Sequence, residues 1–418
     1  MNKLIHFEFV KAFKKKSFLY AVILMIILMI ALPCITIHEN QWVTENGVEI
    51  TGLSAIRAKK KALADVSCDL TAERLGTVIT NYQSAYADPS SFYKSDGTPI
   101  SWINNTSYAK YIQNDSEIKF LIDLAFTLAG GSYDYYAMNN MSASDAERFY
   151  VNRMNKVREY LDRDYTYGNY SDKDKEYFIA KNEKIKTPFH YSYNEGWKKI
   201  LPISYFALVI IAMVVSITLA PMFSSEYQTG ADAILLSTKY GRSKLIIAKI
   251  ASSFLLTSFI YCIGMLVLTI ATLFIYGGKG AGCSLQVTNF LAPANVSLFG
   301  AYLYVLFAGY CMCLLMQGIT LLLSAKMQSP FSVIICTMLF FFAPMFISYS
   351  KTSRRFNKLL DLTPVKMAAA NTALTKYEVY HILFFKVHYS TMIIIVALLI
   401  AILPLPLAYK AFHKHQVA

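Results

Sequence analysis

Apolar and polar positions along this chain are segregated into long blocks rather than mixed at short period. Six runs carry no Asp, Glu, Lys, Arg or His: Ser17 to Ile37, Ile200 to Phe223, Ile250 to Tyr276, Leu298 to Leu323, Phe331 to Tyr349 and Ser390 to Tyr409. A helix rising 1.5 Å per residue needs about 20 apolar residues to cross roughly 30 Å of hydrocarbon. The pattern therefore predicts a mainly α polytopic membrane protein with six transmembrane helices. The fifth run is the shortest and Pro344 interrupts it; neighbouring helices can satisfy the carbonyl that a proline frees.

The residues before the first run have helical periodicity. Ile5, Phe9, Ala12 and Phe13 fall on one face, with Glu8, Lys11 and Lys14 opposite. That predicts a short amphipathic helix over 1–16, lying in the membrane interface with its apolar face down. The first run follows Lys14, Lys15 and Lys16, as a signal peptide would. At 21 residues it is longer than a 7–15-residue signal core, so it reads as an uncleaved anchor and first span, 17–37.

Residues 38–199 are polar and read as a separate, mainly helical extracytoplasmic domain between spans one and two. Thr71 before Ala72 and Glu73, and Ser171 before Asp172 and Asp174, are helix starts, with acids in the first turn. Ser144 with Glu147 predicts a capping box. Asp88 to Thr106 is rich in Pro, Ser, Gly and Asn and predicts a loop. The remainder, 200–418, reads as a five-span membrane domain with an inner loop at 224–249 and a basic segment at 350–389.

Composition sharpens this. The chain is 55% hydrophobic and only 16% charged, against roughly 25% charged in ordinary soluble domains. The net charge of +13 is uneven: residues 38–199 hold 20 Lys+Arg and 22 Asp+Glu, and the rest holds 20 and 5. The basic excess thus belongs to the apolar part, which favours anionic lipid headgroups over nucleic acid as the partner. With the N-terminus inside, inner segments carry 12 Lys and Arg and short outer segments 8. This weak positive-inside margin places both termini in the cytoplasm of a plasma membrane. Seven of the eight outer cations crowd into 350–389, which predicts a segment lying along or dipping into the membrane surface.

Motifs for chemistry are missing. Gly277-Gly278-Lys279-Gly280 lacks the spacing and hydroxyl of a phosphate loop, and HExxH, GxSxG and CxxC do not occur. No catalytic, cofactor or metal site is expected, and His413 and His415 read as a snorkelling tail. A bridge between Cys68 and Cys283 has no support beyond both lying outside. Ser252, Ser253, Thr257, Ser258, Gln317 and Thr320 inside the runs suit close helix packing. Ion-coupled carriers commonly rely on buried carboxylates or histidines, so a substrate moved uphill here takes its energy from another chain.

The loop after the second run is specific: Ser-Ser-Glu226-Tyr-Gln-Thr-Gly230-Ala-Asp-Ala-Ile-Leu235-Leu236-Ser-Thr-Lys-Tyr-Gly241-Arg242, then Lys249 opening the third run. It resembles the signature loop of permease subunits of ATP-binding-cassette (ABC) exporters, the class called type-2 permeases or type V exporters. Glu226, Gly230, Leu235, Leu236, Arg242 and Lys249 match in order and spacing; Ala231 and Lys239 stand where Thr and Pro are usual. The resemblance implies an ATPase-coupling helix. Glu226 and Arg242 would orient it, Gly230 would permit close approach, and Leu235 and Leu236 would anchor it. It also implies separate ABC ATPase subunits carrying ATP-Mg, a second permease copy or homologue packed through spans two and five, and a bacterial exporter of antimicrobial peptides, drugs or lipids. A membrane-anchored sensor using the polar domain as receptor, and an ion-coupled carrier, are the competing readings.

Overall fold

The computed structural model describes residues 1–95, 98–127 and 136–415. Five helices are long and apolar enough to cross a membrane: Lys16–Ile35, Glu195–Thr229, Lys244–Tyr276, Leu298–Lys326 and Tyr389–His413. The fifth apolar run forms a shorter element, an α-helix at Pro330–Phe342 running into a 3-10 turn at Ala343–Phe346. Pro330 sits in the first turn, where its missing N–H costs nothing, and Pro344 ends the regular helix because it cannot donate back. The long helix Glu195–Thr229 also breaks, at Ala220–Pro221. Ser324 of the neighbouring helix repairs the break: its hydroxyl donates to Ala220 O (2.6 Å) and accepts from Phe223 N (2.9 Å) and Ser224 N (3.1 Å).

Helices Glu195–Leu219 and Leu298–Lys326 form the centre of the bundle, and the others flank them with apolar faces left open. Hydroxyls in the apolar runs serve packing, as expected. Ser258 Oγ meets Tyr310 OH at 2.7 Å, and Gln317 donates to Ser253 Oγ at 3.1 Å. At Gly318 the backbones come so close that a Cβ would lie 2.5 Å from Ala401 O.

One end of the bundle carries a polar domain. Its core joins Leu75, Ile79, Tyr82, Ile118, Ile122 and Phe149 to Val287 and Phe290, which come from the connection between the third and fourth long helices. A second core unites Val157, Leu161 and Phe178 with Tyr377 and Val379. The polar domain is therefore assembled from three stretches of chain. Buried Arg153 ties two of them, donating to Phe290 O (2.9 Å), Ala292 O (3.2 Å) and Asn182 Oδ1 (3.0 Å). The 350–389 segment is ordered into short helices at Arg354–Asp361, Pro364–Met367 and Ala370–Ala373, and a hairpin pairing Val379–Ile382 with Phe385–His388.

The joint to the bundle is ionic. Lys59 donates to Glu195 (2.5 Å) and Glu117 (3.1 Å), and Lys198 donates to Glu117 (3.0 Å). Burial opposes the Glu117 charge, but Lys59 and Lys198 outweigh it and pull its pKa down to about 2.

Local expectations fare unevenly. Thr71 and Ser171 cap their helices, accepting from Arg74 N and Asp174 N. The capping box is formed by Ser142 and Asp145 rather than Ser144 and Glu147, because the element there is a 3-10 helix starting at Ala143. The expected loop over 88–106 holds a hairpin, Phe92–Ser95 with Thr98–Ile103. Its sequence signal is Asp96-Gly97, a dipeptide suited to a two-residue turn. Cys68 and Cys283 are both free, and Cys283 Sγ instead accepts from Ser192 N at 3.1 Å.

Candidate functional site

Opposite the polar domain, four chain segments meet: the N-terminal helix Asn2–Phe13, the short helices Pro221–Thr229 and Ala231–Ser237, the start of Lys244–Tyr276, and the C-terminal end of Pro404–His413. At their centre lies Lys249, 1% exposed. Its ammonium donates to Met222 O (2.8 Å), Glu226 Oε1 (2.8 Å) and Glu8 Oε2 (3.2 Å). Lys11 donates to the same Glu226 oxygen at 2.8 Å. Two carboxylates and two ammoniums thus balance in a largely buried tetrad. Burying such charges is tolerable only because each is paired.

The tetrad changes the reading of the N-terminal helix. Glu8 does not face away from the apolar side; it is buried against Lys249. The helix packs on the bundle, with Phe13 stacked edge-on to Phe259 at 5.0 Å between ring centroids. Burial works against the Lys11 charge, yet its bond to Glu226 and the charges of Glu226 and Glu8 hold its pKa above the ordinary lysine value. Lys15 is driven the other way, by burial and by the Lys11 and Lys249 charges.

Beside the tetrad a groove of about 560 Å³ runs between the N-terminal helix and Ala231–Ser237, with Leu4, Phe7, Ile234, Tyr240 and Leu245 in its walls. Phe7 and Ile234 are largely exposed. This groove is apolar, with charge at its base, and its shape suits a partner surface rather than bond-making chemistry. A family model for ABC-2 family transporter proteins matches residues 3–417. The chain belongs to that family. No curated protein matches the chain. Membership makes this a transport subunit rather than a catalytic one, a multi-pass membrane protein of the permease type. It also implies pairing with an ABC ATPase.

The ABC-2 permease's six loop residues divide between two places. Glu226 and Lys249 join directly in the tetrad. Arg242 is elsewhere: it donates to His413 O (2.6 Å) and His415 O (3.2 Å), while His413 Nδ1 meets Arg242 O at 2.6 Å. His415 reaches Asp232 (3.1 Å) and stacks near Tyr227 at 4.4 Å. Arg242 therefore fastens the C-terminal tail to the loop, and His413 and His415 are part of the loop's scaffold rather than a free tail.

Gly230 adopts φ +68°, and nothing lies within 4 Å of where its Cβ would be. It ends helix Pro221–Thr229 in a left-handed cap and lets Ala231–Ser237 turn away. Its positive φ makes the turn between the two helices. Leu236 is buried inside the permease, Leu235 is half-buried, and Ile234 is 72% exposed. Sequence reasoning missed Glu8, Lys11, Ser324 and Ile234. The one available signal was Glu8 itself, a lone acid among the lysines preceding the first span.

Proposed function

We propose that this ABC-2 permease is half of an exporter in a bacterial plasma membrane, with both termini cytoplasmic and the polar domain outside. Separate ABC ATPase subunits, carrying ATP-Mg, dock on the groove beside the tetrad. The observation carrying this reading is the Glu226–Lys249 pair with Glu8 and Lys11. Through it, helix Pro221–Thr229, which the Gly230 turn joins to Ala231–Ser237, is tied to both the N-terminal helix and the long helix Lys244–Tyr276. Ile234 and Phe7 take the anchoring part at the ATPase surface, because Leu236 is already spent inside the chain.

Six spans remain our reading of the topology. Pro330–Phe346 connects the end opposite the polar domain to the segment packed on that domain. Its α-helical and 3-10 parts together reach roughly 27 Å, close to the hydrocarbon thickness. Phe331, Ile335 and Leu339 on this helix, with Phe206 on the second span, leave apolar surface for a second permease copy or homologue. The cargo we assign is a membrane-active one: an antimicrobial peptide, a drug or a lipid.

The test is recovery of an ABC ATPase with the tagged permease from native membranes, identified by mass spectrometry. Burying one isoleucine contributes about 1.5–3 kcal/mol, so Ile234→Asp lowers ATPase recovery at least tenfold while leaving the permease's own thermal stability unchanged. Wild-type recovery with both Ile234→Asp and Phe7→Asp shows the docking face to be wrong.

A further inference from the structure

The outer cations have no role in the reading so far. Seven Lys and Arg lie between Tyr349 and Ser390, on the side where a positive-inside distribution leaves few. Two of them, Lys351 and Lys376, line one cavity of about 420 Å³ between the 160–170 stretch and the 349–378 segment, and three more, Arg354, Lys358 and Lys366, touch lining residues Tyr170, Glu378 and Tyr349. The cavity is the size of a small-molecule site.

Five tyrosines line it, Tyr160, Tyr167, Tyr170, Tyr349 and Tyr377. The carboxylates there are Asp361 and Glu378. Asp361 accepts from Lys376 and Tyr349 OH, both at 2.6 Å. Glu378 stands 3.7 Å from Arg354 and 3.5 Å from Lys358. Burial raises the Glu378 pKa, and the charges of Arg354 and Lys358 do not fully offset it. Lys351 and Lys366 have no carboxylate partner among the described residues. Arg354 sits over Tyr170 at 3.8 Å with its Nε and Nη2 hydrogens unused. The lining itself holds two cations and two carboxylates, and Arg354, Lys358 and Lys366 behind it add three positive charges, so the surrounding charge favours an anion.

The cavity also lies at a membrane boundary. Tyr349 follows the apolar Pro330–Phe346 closely, and Asp361 O accepts from Tyr389 OH, where the last long helix begins. We propose that this cavity binds an anionic phosphoester group, presented by a membrane amphiphile whose tail stays in the adjoining leaflet. Lysine ammoniums supply the charge complement, and tyrosine hydroxyls and ring faces hold the neck of the headgroup.

The experiment titrates the full chain, purified in a maltoside detergent, with dihexanoylphosphatidate, inorganic phosphate and uncharged dihexanoylglycerol, read by calorimetry. The phosphatidate binds saturably and the glycerol analogue does not. The double variant Lys351→Glu/Lys366→Glu weakens phosphatidate at least tenfold, whereas Lys94→Glu, on an exposed hairpin, leaves it unchanged. Lys351 is exposed and Lys366 makes only a ring contact. An unaltered melting temperature shows that the double variant is folded. Inorganic phosphate binding with the same sensitivity identifies a soluble phosphoester as the source; phosphatidate alone identifies a lipid headgroup. Absence of binding by both, or binding indifferent to the double reversal, overturns the proposal.

Discussion

Replacing Lys249 by Met removes the charge on which the end of the bundle opposite the polar domain is built. Its ammonium lies 2.8 Å from Glu226 and 3.2 Å from Glu8. At an effective dielectric of about 20, each attraction is worth about 5–6 kcal/mol before desolvation is subtracted. Lys249→Met forfeits both and leaves Glu8 and Glu226 facing each other with only Lys11, itself partly exposed, to compensate. Breaking a buried pair from one side costs about 3–5 kcal/mol, because the surviving partner stays buried and unpaired. Adding Glu8→Gln relieves most of that cost, since the remaining Glu226 keeps its 2.8 Å bond to Lys11. The double variant is thus expected to be more stable than Lys249→Met alone, with a coupling of about 2–3 kcal/mol. The assay is thermal inactivation of detergent-purified chain at one fixed scan rate, since membrane proteins of this size unfold irreversibly. If Lys249→Met melts with the wild type, or the double variant is worse than either single change, the tetrad does not hold these helices together.

Two further outcomes follow from other contacts. Gly318→Ala places a methyl 2.5 Å from Ala401 O, so the fourth and last long helices must part; the expected cost is about 1–3 kcal/mol, read as a lowered melting temperature, while Gly282→Ala, with open space around it, serves as the unaffected control. His388 is 5% exposed, and burial and the nearby Lys181 charge push its pKa down to about 3 from a usual 6.5. Because the folded state resists protonation, its contribution is intact above pH 6.5 and falls away between pH 6.5 and 3, by up to about 1.4 kcal/mol per pH unit. Between pH 7 and 5 the wild type should lose stability faster than His388→Gln, and equal slopes for the two would show that His388 is not the sensor.

How far the sequence reached differs by element. Helix caps at Thr71 and Ser171 were legible because a cap is a contact across three residues. The hairpin at Phe92–Ser95 was not, because composition outweighed its turn dipeptide. In the loop, Glu226 and Lys249 were legible as a spacing, but their neighbours were not. Arg242 and Glu226 belong together in the motif, yet the chain turns at Gly230 and sends Arg242 to the C-terminal tail.

The sequence alone determined that this chain is built of apolar helices and a polar insertion. A bilayer imposes one length and one polarity on any segment that crosses it, and both can be read along a single line of residues. Only the tertiary structure decided which charges face each other: Glu8 and Lys249 are 241 residues apart. It also decided that the polar domain draws on three stretches of chain, and that Ile234 stays exposed while Leu236 is buried. Pairing of buried charges and closure of a core depend on distances through space, and no local period records them.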